Sequence, residues 1–152
     1  MIKISSLLIS TIFFILSFNA TGLDEVRANY NKLVSEKELC EKMITELTKT
    51  KNNSATHLAY LGGLQTIWAN HVLSPISKLN TFKKGKNNIE EAIKKEPENV
   101  ELRFIRLSVQ KNAPSFLGYK SNIHEDVKFI KENRHQLGSD ILQKNITTLL
   151  KH

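Results

Sequence analysis

Glu96-Pro97-Glu98-Asn99-Val100-Glu101-Leu102-Arg103-Phe104-Ile105-Arg106-Leu107-Ser108-Val109-Gln110-Lys111-Asn112-Ala113-Pro114-Ser115-Phe116-Leu117-Gly118-Tyr119 is the stretch that decides the fold. Wound as a helix at roughly 100° per residue, Val100 to Lys111 places Val100, Phe104 and Leu107 on one side. Leu102, Ile105 and Val109 fall on nearly the opposite side, and Arg103, Arg106 and Gln110 share a narrow stripe between them. A surface helix has one apolar face. A helix with two opposed apolar faces must be covered from both sides, so this segment is expected at the centre of a helical stack. Pro97 ends the helix before it, Asn99 is placed to cap it, and Asn112-Ala113-Pro114 stops it.

Working backward, Asn52 to Ser77 contains no Asp, Glu, Lys or Arg, in a chain with 22 basic and 15 acidic residues. That gap signals burial. Its helix, Ala55 to about Leu73, is also two-sided. Leu61, Leu64, Trp68 and Val72 form a bulky face, and Ala59, Gly62, Gly63, Thr66 and Ala69 a small one that lets another helix approach closely. Gln65, Asn70, His57 and His71 argue against a membrane span. His57 and His71 are too far apart to share a metal ion and read as packing histidines; the expected metal and cofactor set is none. Ser74-Pro75 opens the next helix, which runs to about Glu96 with Leu79, Phe82, Gly85, Ile89, Ala92 and Ile93 as its stripe. Gly85 there suits a close backbone approach or a kink.

Leu23 to Lys51 reads as one long amphipathic helix carrying Val26, Tyr30, Leu33, Cys40, Ile44 and Leu47; a dimeric coiled coil is the rival reading, but the pattern runs for barely three heptads, which favours packing on the same chain. Past the central helix, Phe116, Leu117 and Tyr119 are too apolar for a free loop and are expected to pack down, with Gly118 allowing a tight turn. A helix starting at Asn122 (Ile123, Val127, Ile130) and a last one after Gly138 (Leu142, Ile146, Leu149) complete an all-α stack of about six helices.

Residues 1–22 read as a signal peptide, with the single helical domain at 23–152. Met1-Ile2-Lys3 is a positive start, Ile4 to Phe18 is almost wholly apolar, and Ala20 and Gly22 offer cleavage sites. The alternative is an uncleaved N-terminal anchor. The expected location is exported, periplasmic or extracellular. The only cysteine, Cys40, lies on an apolar stripe and reads as a buried thiol. The net charge of +7 is spread along the chain and densest at Lys83, Lys84 and Lys86. Without interleaved aromatics, and with an export signal, it argues against nucleic acid and allows a weak attraction to anionic surfaces.

Ile89-Glu90-Glu91-Ala92-Ile93-Lys94-Lys95-Glu96-Pro97-Glu98-Asn99 resembles the second helix and closing turn of a tetratricopeptide repeat, in which an alanine stands five residues before a proline, as Ala92 and Pro97 do. The resemblance covers about a quarter of the domain. The repeat is degenerate: Ala69, Val72 and Leu73 stand where the family prefers a large residue, leucine and glycine, and Pro75 breaks the frame. It implies helical hairpins like those of small exported bacterial proteins. It carries over no groove residue.

No nucleophile triad, phosphate loop or dinucleotide fingerprint occurs, and no catalytic residue is assigned. Two function classes stay open. One is a non-catalytic interaction or scaffold protein of the bacterial cell envelope that binds a protein or peptide. The other is a small-ligand protein or enzyme whose site, around Arg103, Arg106, Gln110 and Tyr119, holds an anionic group. The first requires a groove or an exposed apolar patch; the second requires unpaired arginines converging on a pocket.

Overall fold

The computed structural model describes residues 22–50 and 52–151. Residues 1–21, all but the last residue of the expected leader at 1–22, lie outside the described residues. The chain is all-helical, and among the described residues there is no strand. Among the described residues seven α-helices follow one another: α1 (Gly22–Asn29), α2 (Lys37–Lys49), α3 (Ala55–Trp68), α4 (Pro75–Lys95), α5 (Val100–Asn112), α6 (Ile123–Asn133) and α7 (Asp140–Lys151). One-turn 3₁₀ segments extend α1, α3 and α6 at their C-terminal ends, and a fourth lies between α5 and α6.

The seventh helix comes from a split in the single helix expected between Leu23 and Lys51. The chain breaks after the 3₁₀ turn Tyr30–Lys32, at Leu33–Glu36. The reason lies in the stripe itself. Between buried Leu33 and buried Cys40 stands the charged run Glu36-Lys37-Glu38, exposed in the structure, so a straight helix would carry that turn away from the core. Folding back lets both short stripes reach the same core. Gly22 lies beside Leu47, and Lys42 reaches Glu25 at 2.9 Å, so α1 and α2 run as an antiparallel pair. In α2 the buried set is Cys40, Met43 and Leu47, with Ile44 displaced to the edge.

Two helices sit inside. α5 is buried on both sides, as its two-sided pattern requires: Val100, Phe104 and Leu107 on one and Leu102, Ile105 and Val109 on the other. Asn99 caps it by accepting from the Glu101 amide at 3.0 Å. α3 packs against α1, α2, α4 and α5. Its small face is the more deeply buried one; Leu61 and Trp68 of the bulky face stay half-buried, and Leu73 lies beyond the helix end, 98 % exposed. The α3–α4 crossing is glycine on glycine. A β-carbon on Gly62 would meet the Gly85 carbonyl oxygen at 2.6 Å, and one on Gly85 would meet the Gly62 oxygen at 2.5 Å. Only hydrogen fits at either position, so the two backbones touch. Ser74 caps α4 with Pro75 as its first residue, as expected.

The segment between α5 and α6 packs down only in part. Tyr119 is buried and Gly118 turns the chain in the left-handed region (φ 62°), but Phe116 stands 86 % exposed. Leu79, expected in the core stripe of α4, is 39 % exposed. Both border the same cleft.

Candidate functional site: a saturated arginine seam and an open apolar cleft

α5 places Arg103 and Arg106 one turn apart, facing α6. Across from them α6 carries Asp126, fully buried. Arg106 donates Nε to Asp126 Oδ2 and Nη2 to Asp126 Oδ1, both at 2.7 Å, a bidentate pair. Its Nη1 donates to Glu90 of α4 at 3.1 Å. Arg103 donates Nη1 to Glu125 at 2.7 Å and to Asp126 at 3.1 Å, and Nε to the Pro97 carbonyl at 3.2 Å. Its guanidinium lies 5.1 Å from the centre of the Phe129 ring. Tyr119 donates its hydroxyl to Glu90 at 2.5 Å. Gln110 donates to Asn122 at 3.3 Å, and its own carbonyl oxygen is buried without a partner.

The structure therefore gathers all four expected site residues into one seam joining α4, α5 and α6. It also shows both arginines already paired to carboxylates. Burial pulls the Arg106 guanidinium down, but the bonds and charges of Asp126 and Glu90 outweigh it, so the group stays above its ordinary range. Burial lifts the Tyr119 hydroxyl far above its usual range, and Glu90 adds to the shift. Glu125 is held below the usual carboxylate range by the Asn122 amide and by Arg103. An incoming anion would have to displace a buried carboxylate from its arginine, and breaking such a pair costs about 3–5 kcal/mol.

A second saturated cluster lies beside α1. Arg27 grips Glu101 with Nε at 2.7 Å and Nη2 at 3.0 Å, and Tyr60 donates to the same carboxylate at 2.6 Å. Hydrogen bonding to Glu101 raises the Arg27 guanidinium, and burial raises the Tyr60 hydroxyl, with Glu101 adding to it. The Glu101 carboxylate is buried, and Arg27, 74 positions away in sequence, reaches it there.

The other side of α5 is different. Between the N-terminal half of α4, the C-terminal half of α5 and the last turn of α7 runs a cleft of about 900 Å³. Phe82, Phe104, Val109 and Leu149 form much of its surface, and Ile67 and Ala69 lie at its floor. Tyr30 and Ser108, bonded to each other at 2.9 Å, also line it. Val34, Leu79 and Phe116 border it and are exposed. Its lining holds three ionisable side chains, Tyr30, Lys78 and Lys111. Burial pushes the Tyr30 hydroxyl up to about 12, so it stays protonated at neutral pH. Lys111 donates to the Leu149 carbonyl at 2.8 Å. With these side chains the cleft can hold apolar surface and present cations.

Sequence reasoning missed this cleft because it assigned Leu79 and Leu149 to the core and Phe116 to a packed crossing. Comparison with protein-family models, with curated proteins and with solved structures finds no match.

Proposed function

We propose that the protein is a non-catalytic binding protein of the cell envelope, whose cleft holds an apolar segment of a protein partner. The observation that carries this reading is the open apolar cleft with exposed Leu79 and Phe116 at its border. A chain that buries Leu64, Ile89 and Ile105 completely gains nothing in its own folding from leaving large side chains in water. Exposed apolar surface of this kind marks interaction sites. The envelope location rests on the charge–apolar–small pattern of residues 1–22. Pairing of Arg103 and Arg106 to Glu90, Glu125 and Asp126 weighs against the anion-site alternative.

The test is capture from envelope extract with the native protein, Leu79→Glu and Arg103→Lys side by side. A partner retained by the native chain and by Arg103→Lys, and lost with Leu79→Glu, is the expected result. Capture indifferent to Leu79→Glu and lost with Arg103→Lys would move the site to the seam. N-terminal sequencing of the same preparation is expected to start near Leu23; a cytosolic product retaining Met1 would remove the envelope from the proposal.

A further inference from the structure

The cleft has a charge asymmetry that specifies its occupant's chemistry. α4 turns Pro75, Lys78, Leu79 and Phe82 toward it, at spacings of three, four and seven along one helix face. α5 supplies Ser108, on the stripe turned away from its arginines, with Phe104 and Val109 from the edges of its two apolar sides. The cleft is thus a slot between two helix faces, closed below by the end of α3, and such a slot suits the apolar face of a further helix.

Lys78 on α4 and Lys111 on α5 line opposite walls, and no Asp or Glu lines the cleft at all. The bias extends through the chain segments that build those walls. No acidic residue occurs from 52 to 89 or from 102 to 124, while exposed Lys83, Lys84 and Lys120 do. Among the described residues the lysines in carboxylate pairs are Lys42, on α2, and Lys95, at the end of α4 away from the cleft-lining residues. Lys78, Lys83 and Lys84 keep uncompensated charge, and Lys111 spends its bond on a neutral carbonyl.

Building on the binding reading above, we propose that the occupant is an acidic amphipathic helix of another protein. Its apolar face seats against Leu79, Phe82 and Val109, and carboxylates on its two flanks meet Lys78 and Lys111. Cations on both walls match charges on both flanks of a helix; an acyl chain with one charged end would match one wall only. A second copy of this chain, at +7, would set lysines against lysines. The chain's own Ile4 to Phe18 stretch is apolar enough but has no carboxylate.

The experiment is panning of the full protein against displayed helical peptides. Leucine is fixed at i, i+3, i+4 and i+7, and the flanking positions are varied among Glu, Gln and Lys. The expected result is enrichment of Glu at both flanks. The enriched peptide should weaken about tenfold or more between low and high salt, and similarly with the exposed Lys78→Glu variant. A Glu→Lys peptide should recover binding to that variant. Helices enriched without preference for Glu would overturn the acidic assignment and leave the cleft reading standing. If no helix is enriched, and palmitate or phosphatidylglycerol vesicles bind in a manner that Leu79→Glu abolishes, a lipid replaces the helix. If no probe binds, the cleft reading falls with the proposal.

Discussion

The two sides of α5 are treated oppositely by the rest of the chain. On one, Arg103 and Arg106 meet a matching set of acceptors from α4 and α6, and little is left to offer a ligand. On the other, Phe104, Ser108 and Val109 look into a cleft whose far wall leaves Leu79 partly in water. Buried charge must be answered within the fold, because an unpaired buried guanidinium is costly. Uncovered apolar surface forgoes only about 25 cal/mol per Å², so a protein can keep it for a partner. Polar clustering on a helix stripe is therefore a poor guide to a site unless its partners are known.

The seam breaks most severely. Asp126→Ala should destabilise the protein by about 3–5 kcal/mol, read from the urea midpoint, because it strands Arg106 and weakens the hold on Arg103. The double variant Arg106→Met with Asp126→Leu should recover most of that loss, since apolar residues of similar size replace a buried pair at little cost. A double variant as unstable as Asp126→Ala would mean that the seam does more than satisfy itself.

Alkaline titration reaches both the core beside α3 and the cleft floor. Burial raises the Cys40 thiol from 9.0 to about 11, with a smaller push from Glu41, and raises the Tyr30 hydroxyl from 10.0 to about 12. Between these values the unfolded chain releases protons that the folded chain keeps. The stability due to these groups is therefore complete below pH 9 and declines as pH rises toward 12. By pH 10 the two together should cost on the order of 2 kcal/mol, seen as a lower melting temperature than at pH 8. A melting temperature flat across that interval would show that neither group is protected.

The cleft border should respond least. Phe116→Ser removes a side chain that is 86 % exposed, so stability should move by no more than about 0.5 kcal/mol. A larger loss would place Phe116 in the core and shrink the contrast between the two sides.

Much of the fold was legible. The two-sided patterns of α3 and α5, the uncharged stretch before α4, the caps at Ser74 and Asn99, and the turn at Gly118 are local signals, and each corresponds to an element or cap in the structure. The break after Tyr30–Lys32 was not legible, because helical periodicity continues in register across Leu33 and Cys40 and only the folding back of α1 on α2 reveals the turn. At the seam, sequence grouped Arg103, Arg106 and Gln110 correctly. It could not name Glu90, Glu125 and Asp126 as their partners, since these come from other helices, the nearest 16 positions away. The cleft was illegible for a related reason: an apolar residue facing a missing neighbour has the same pattern as one facing the core.

The Gly62–Gly85 crossing limits how the molecule can move. Packed helices slide past one another when side chains between them re-seat in new rotamers. At this crossing no side chain intervenes, and each carbonyl sits where the other helix would need a β-carbon. α3 and α4 therefore turn as one lever, carrying Leu79 and Lys78 with them. The give in the cleft belongs to the opposite wall, where Ser115–Leu117 follows α5 and the last turn of α7 is tied to Lys111 through the Leu149 carbonyl.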